Sequence, residues 1–307
     1  MKIKKVCIVG YGSHVEKTII PSLSIKKKNI KIISSKPAIK NFEIYPNIKT
    51  ALKKIDKRYV IFNATPPNLH FKTSKLILNM GFNLIIEKPI CLNVKQLSKL
   101  KMLSNKQGLF IFENMMYFYS DQFLIFKKYI LNKSKIDTIK LNFCLPNFNK
   151  DSFRSNTNLN SSLLYDVGCY PFSLISYLGF EMKDFNINHR FKNKILNYLN
   201  IDFYSKKIKF FVKIGFFRKY ENFVEIVYSD KTKVRFNYFF YGKKIKKKNE
   251  IILSNMKKKT FIVNENNAFK KIFNFEIKKI ERLSKKKIII AYRYLKMLNR
   301  IKKNIKQ

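Results

Sequence analysis

Gly10 and Gly12 stand two residues apart directly behind the apolar run Lys4–Val9. A helical pattern through Val15, Ile19 and Ile20 follows them towards Leu23. A strand, a glycine turn and a helix in that order aim free backbone N–H groups at a pyrophosphate. Gly10 allows the tight turn, and Gly12 lets a phosphate approach the main chain beside Ser13 and His14. Val15 occupies the third glycine position, which loosens the pattern, and an ordinary strand–helix turn is the plain alternative. About twenty residues on, the expected strand Asn29–Ile33 runs into Ser34-Ser35-Lys36. An acid there would accept from a ribose 2′-hydroxyl, whereas hydroxyls and a cation suit a 2′-phosphate. The expected ligand is therefore NADP in preference to NAD, although in so lysine-rich a chain Lys36 can be incidental.

These residues need a sheet to hold them. Strand Tyr59–Ala64 leads into Thr65-Pro66-Pro67-Asn68-Leu69-His70. A helix then carries Leu69, Leu76, Ile77 and Met80, with Ser74 facing outward, and closes at Gly81. Strand Phe82–Ile86, the tripeptide Glu87-Lys88-Pro89 and helix Asn93–Gln107 follow, with Asn93 as cap and Gly108 as stop. Strand Leu109–Phe112 reaches Glu113, Asn114 and Tyr117. Strands and helices alternating in this way predict an α/β, doubly wound parallel sheet. Ligands gather at the carboxyl ends of such strands, where Gly10, Thr65, Lys88 and Asn114 fall. From Ile136 onwards the alternation is that of antiparallel strands: Thr138–Leu145, Phe185–Phe191, Ile208–Phe217, Phe223–Tyr228 and Lys233–Phe239. The expected division is a dinucleotide-binding domain over 1–118 and an α+β domain over 119–307.

Four segments in order are Gly10-x-Gly12, Thr65-Pro66-x-Asn68-x-His70, Glu87-Lys88-Pro89 and Asp166-Val-Gly168-Cys-Tyr170-Pro171. In them the chain resembles the glucose–fructose oxidoreductase / inositol dehydrogenase family, known as Gfo/Idh/MocA. The likeness covers residues 3–180. The chain has only 8 glycines and 8 prolines, and Gly10, Gly12, Gly81, Gly168, Pro66, Pro89 and Pro171 all lie at motif positions or helix ends. The resemblance implies an N-terminal Rossmann domain and a C-terminal open, mostly antiparallel sheet whose exposed face pairs subunits. It brings Thr65, Pro66, Asn68, His70, Glu87 and Lys88 to the cofactor, with His70 as a structural residue there. It also implies that Lys88 holds the substrate oxygen beside the nicotinamide. Tyr170, where many relatives have His, is then the expected proton donor or acceptor, and Asp166 orients substrate hydroxyls. Asp166 and Tyr170 lie four apart in the expected helix Ser162–Leu178 and so share a face. Tyr170 as a plain core aromatic is the alternative. Arg154 is placed to fork onto a substrate phosphate or carboxylate, and Asn114 and Tyr117 are placed to line the pocket. The implied activity is hydride transfer between nicotinamide and a carbinol or ketone carbon of a sugar or nucleotide-sugar. Asn160-Ser161-Ser162 stands where the family has glycines, which fits either a helix cap or an altered substrate loop.

Composition narrows the remaining possibilities. The chain is 46% hydrophobic and 15% aromatic, which excludes disorder, and no stretch reaches the roughly 18 apolar residues of a membrane span. The apolar run behind the basic start ends after four residues, too short for a signal peptide. Cysteines 7, 91, 144 and 169 lack metal-ligand or paired spacing, so reduced thiols in a cytoplasmic protein and no metal are expected. Lys and Arg number 64 against 19 Asp and Glu, a net charge of +45. The positive charge is mostly Lys, spread along the chain, in a background of Asn, Ile, Phe and Tyr. That is the signature of A/T-rich codons rather than a clustered nucleic-acid footprint. The tail from Lys285 to Gln307 places Ile288, Tyr292, Leu295, Leu298, Ile301 and Ile305 at helical spacing. It reads as a helix packing on the body in preference to one lying on a membrane surface. A large apolar sheet face would need covering, so a homo-oligomer is expected. Two rival functions stand beside the oxidoreductase: a catalytically silent dinucleotide-binding sensor, and a polyanion binder.

Overall fold

The β-branched run Val6–Val9 forms β1, with every residue buried. In the computed structural model, which describes residues 2–35, 42–131, 135–147 and 163–305, β1 lies inside a six-stranded parallel sheet. Its neighbours are β2 (Ile30–Ile33), β3 (Glu43–Tyr45), β4 (Val60–Asn63), β5 (Leu84–Ile86) and β6 (Ile111–Glu113). The order β3-β2-β1-β4-β5-β6 reverses direction between β1 and β4, with Val6 opposite Ile30 on one side and Val60 on the other. That reversal opens a crevice at the carboxyl ends of the two strands. A π-helical turn, Val15–Ile19, followed by α1 (Ile20–Ser22) leaves β1. Helices α2 (Ile48–Lys54), α3 (Pro67–Asn79) and α4 (Val94–Lys106) supply the crossovers. Asn93 caps α4 by accepting from the Gln96 N–H at 2.9 Å.

One expected orientation is reversed. Ser74 on α3 is fully buried, and its hydroxyl accepts from Asn63 Nδ2 at 3.0 Å. A small hydroxyl costs little to bury once an amide supplies its partner, so α3 places Ser74 on the sheet and not in solvent.

The chain divides into two compact units, residues 1–115 with 269–295 and residues 116–268 with 296–307. Residues 269–295 count with the first unit, whereas the expected division has them in the second domain. In the first unit Phe273 of α7 (Ala268–Phe273) sets its ring edge-on to Phe62 of β4.

The second unit carries α5 (Asp121–Tyr129), β7 (Ile136–Cys144), α6 (Cys169–Tyr177), β8 (Phe185–Lys192), β9 (Ile195–Ser205) and β10 (Ile208–Gly215). Its remaining strands are β11 (Glu221–Tyr228), β12 (Lys233–Asn237), β13 (Ile245–Ile252) and β14 (Lys258–Glu265). They form one open sheet, β14-β13-β12-β11-β7-β10-β9-β8, antiparallel except between β7 and β10. Ile139, Leu141, Phe210, Val212, Ile226 and Phe236 fill its covered face. The opposite face departs from the apolar surface expected. Lys140 and Arg235 flank Glu225 there, at 3.0 and 3.9 Å, and Lys213 meets Glu221 at 3.0 Å. These cross-strand ion pairs share the face with Phe211 of β10 and with Phe223 and Val227 of β11, so it is mixed rather than uniformly apolar.

Helix α8 (Ile277–Asn304) runs longer than the expected tail and has a different phase. Ala291, Tyr294, Leu295, Leu298 and Ile301 are fully buried, whereas Tyr292 is exposed. Lys287 is buried in its place, because a side chain at 287 lies one turn from Ala291 and two from Tyr294.

Candidate functional site

The carboxyl ends of β1, β2 and β4 surround a cavity of roughly 340 Å³ lined by Gly10, Tyr11, Ser34, Ser35, Thr65 and Thr73, among others. Gly10 adopts φ +92°, and a Cβ on it would stand 2.9 Å from the Ala64 carbonyl oxygen. The backbone seals that position: the Gly10 N–H donates to Ile33 O at 2.9 Å, and the Ala64 N–H to Val9 O at 2.8 Å. Gly12 differs, since a Cβ there would meet nothing within 4 Å. It borders open space where a ligand phosphate has room to reach the main chain. Among the described residues the lining brings hydroxyls from Ser34 and Ser35 and no carboxylate, so these residues fit a dinucleotide and suit a phosphorylated ribose. Lys36 and Arg154 lie outside the described residues, as does the Asn160–Ser162 departure.

The two glycines give separable expectations. Gly10→Ala should cost about 1–3 kcal/mol of folding stability, because it forces a side chain into the left-handed region against backbone. Gly12→Val should leave the melting temperature unchanged yet weaken NADPH by about tenfold or more, a loss of about 1.4 kcal/mol. Thermal unfolding beside fluorescence titration of NADPH reads both, and unchanged affinity in Gly12→Val would place the cofactor elsewhere.

Asn63 ends β4 and organises the next turn. Its Oδ1 accepts from Thr65 Oγ1 at 2.7 Å and Thr65 N at 3.2 Å, and its Nδ2 donates to Ser74 and, at 3.3 Å, to His70 O. His70 lies fully enclosed on α3, with Nδ1 2.7 Å from Pro89 O and Nε2 2.7 Å from Thr65 O. The ring donates to both carbonyls only when protonated. Burial opposes that charge and pulls its pKa down, against the two carbonyls that favour it. Either way His70 ties the Thr65 turn to the turn that carries Lys88. Pro66 precedes α3 and Asn68 stands in its first turn, half-buried.

Glu87, directly after β5, gathers three sequence-predicted residues. Its Oε1 accepts from Asn114 Nδ2 at 2.6 Å and stands 3.3 Å from His14 Nε2, while Oε2 accepts from the Lys88 N–H at 3.2 Å. Burial pushes the Glu87 carboxyl up, but His14, the Asn114 amide and Lys88 outweigh it and hold it below the usual glutamate value. A negative carboxylate therefore persists at the sheet end, held between the glycine turn and β6. Lys88 is half-buried, and its bond to Pro89 is cis. Asn114 is buried, and its Oδ1 has no donor among the described residues.

In the second unit, Asp166 lies in a π-helical turn, Leu164–Gly168, and Tyr170 in the first turn of α6. The shared face assumed a regular α-helix, and the wider π turn changes that spacing. Asp166 is 3% exposed and Tyr170 8%. Rings of Phe143, Phe240 and Tyr117 stand 5.2, 5.6 and 6.1 Å from that of Tyr170. Tyr117 is fully enclosed, with its hydroxyl 2.9 Å from Ser173 Oγ, and sits in the core of this unit. Sequence reading passed over Glu113 and Asn63, which are buried polar residues at strand ends; the charged Glu113 inside an apolar strand was the available signal.

The family model described as "Oxidoreductase family, NAD-binding Rossmann fold" matches residues 4–115. Over these residues the chain matches the Gfo/Idh/MocA oxidoreductases. The whole chain is similar in fold to KijD10, a 3-ketoreductase from Actinomadura kijaniata, whose structure holds TDP-benzene and NADP. Over 96% of this chain and 97% of that one, identity is 16% and the TM-score 0.84. It is also similar to the UDP-N-acetylglucosamine 3-dehydrogenase GnnA from Acidithiobacillus ferrooxidans, at 12% identity over 96% and 95% of the chains, with TM-score 0.73. No curated protein matches the sequence. The matched span contains every described residue expected at the cofactor: Gly10, Gly12, Ser13, His14, Ser34, Ser35, Thr65, Pro66, Asn68, His70, Glu87 and Lys88. Among the described residues, no helix is long and apolar enough to cross a membrane.

Proposed function

We propose that the protein transfers hydride between NADP(H) and a carbinol or ketone carbon of a nucleotide-activated sugar. The observation that carries this reading is the Glu87 cluster. One carboxylate joins the glycine-turn residue His14, the Lys88 backbone and Asn114 at the end of a sheet whose crevice fits a dinucleotide. The sugar-nucleotide part is supported by the two structural relatives, a 3-ketoreductase with TDP-benzene and NADP and a UDP-N-acetylglucosamine 3-dehydrogenase, and the NADP preference by Ser34 and Ser35 in place of an acid.

Bound NADP(H) would give or take the hydride at its nicotinamide ring. Lys88, half-buried at the end of β5, would hold the substrate oxygen and favour its negative charge as that oxygen gains or loses a proton. Tyr170 is assigned as the proton donor or acceptor and Asp166 as the residue that orients substrate hydroxyls. Their burial supports this, since a polar group kept from water interacts more strongly than one in it. Four buried free cysteines agree with a reducing, cytoplasmic setting.

Fluorescence titration should show NADPH binding about tenfold or more tighter than NADH, a difference of about 1.4 kcal/mol. A panel of nucleoside-diphosphate sugars should show oxidation or reduction that free sugars do not. Tight NADPH binding without turnover on any member would favour the silent sensor instead. Binding that any polyanion matches and modest salt abolishes would reduce the site to charge attraction.

A further inference from the structure

Glu113 closes β6 with an acid where the strand pattern calls for an apolar residue, and it is 2% exposed. Its Oε1 accepts from the Ile90 N–H at 2.8 Å and from the Tyr294 hydroxyl at 2.5 Å. Ile90 directly follows Lys88-Pro89 and is itself buried. Tyr294 comes from α8 and is wholly enclosed. Lys287, two turns earlier on the same helix, is also buried, and its charge and that of Glu113 attract. Burial acts on both groups in the direction of neutrality, raising the Glu113 pKa and lowering that of Lys287. A buried acid is kept only where its bonds do something an apolar side chain would not.

Resting on the functional reading above, we infer that Glu113 is a positioning residue that fixes the Lys88-Pro89-Ile90 turn, and that Tyr294 of α8 fixes Glu113. The turn is then held from two sides. His70 binds the Pro89 carbonyl and Glu113 binds the Ile90 N–H, so the peptide linking residues 89 and 90 has both its polar atoms anchored. Glu113 reaches the turn directly, and α8 reaches Glu113.

The test compares Glu113→Leu, Glu113→Gln and Tyr294→Phe by amide hydrogen exchange and by turnover in the full-length protein. Glu113→Gln keeps an oxygen that accepts from both donors, whereas Glu113→Leu keeps none. Exchange of the Ile90 amide should rise about tenfold or more in Glu113→Leu and about threefold in Tyr294→Phe, and stay near wild type in Glu113→Gln. Amides of β1 and β4 should remain protected, and NADPH affinity should stay within about threefold. kcat should fall about 30-fold in Glu113→Leu with KM little changed, and Glu113→Gln should recover most of it. Ile90 protection that survives Glu113→Leu would overturn the anchoring. Lost protection with unchanged kcat would overturn the positioning role, and so would equal loss of protection across the unit. If Glu113→Leu does not fold, Tyr294→Phe decides the matter on the same two readouts. Turnover that survives Lys88→Met would overturn the functional reading itself, and that result is separate from the exchange result.

Discussion

Lys88→Met lowers turnover by about 10³-fold while NADPH binds within about twofold of wild type. That is the expected result, and its size follows from the work assigned to one group. Placing or removing a proton at a positioned oxygen contributes about 10²–10⁴ in rate, and Met keeps the length of the side chain while removing its charge and its donors. Most residues expected at the cofactor lie elsewhere: the glycine turn, Ser34, Ser35 and the Thr65 turn follow other strands of the same sheet. Binding and catalysis are therefore separable at this residue. Single-turnover absorbance at the nicotinamide band measures the hydride step directly. Tyr170→Phe provides the companion measurement, and a rate unaffected by it would return that ring to the aromatic core around Phe143 and Phe240. Turnover unchanged by Lys88→Met would end the catalytic reading of the chain.

The second large effect concerns folding. Lys247 and Glu265 face each other at 3.3 Å with no exposed side-chain surface on either. Glu265 also accepts from the Asp121 and Gln122 N–H groups at 2.9 and 3.2 Å, which adds to the capping of α5 by Ser120, and Lys247 donates to the Tyr241 carbonyl at 2.7 Å. Lys247→Met leaves that carboxylate buried without its counter-charge and should destabilise the second unit by about 3–5 kcal/mol. Adding Glu265→Gln removes the stranded charge but keeps an acceptor for both α5 amides. The double variant should therefore be more stable than Lys247→Met alone. Urea unfolding followed by circular dichroism gives both values, and equal stability of single and double variants would show that the pair is not coupled.

How far the sequence carried these conclusions depended on the kind of residue involved. The parallel sheet was legible because its strands are β-branched and its few glycines mark turns; β1, β4 and β5 lie within the expected spans. The Glu87 cluster was legible as a set of motifs but not as a set of bonds, since nothing local links His14 to Asn114. Three strands of the second unit, β9, β13 and β14, escaped the pattern. In β13 the inward positions are Lys247 and Asn249, both fully buried, so the apolar alternation that announces a strand is missing there. The hairpin between β8 and β9 turns at Asn193 and Lys194, with φ of 51° and 61°, and no glycine announces it. The phase of α8 was misread for a similar reason, because a lysine at 287 counts as solvent-facing until Glu113 is known to lie against it.

The return of residues 269–295 to the first unit sets an order on its assembly. A ribosome delivers the six parallel strands early, but Phe273, Lys287 and Tyr294 arrive only with the last tenth or so of the chain. Until then β4 lacks its Phe273 neighbour, Glu113 lacks its α8 partners, and Lys2 lacks the bridge it makes with Glu276. A nascent chain cut short before α8 thus carries every cofactor motif and still has an unfinished cofactor domain. Translation that stops before α8 leaves its defect at β6, in the sheet where the dinucleotide would bind.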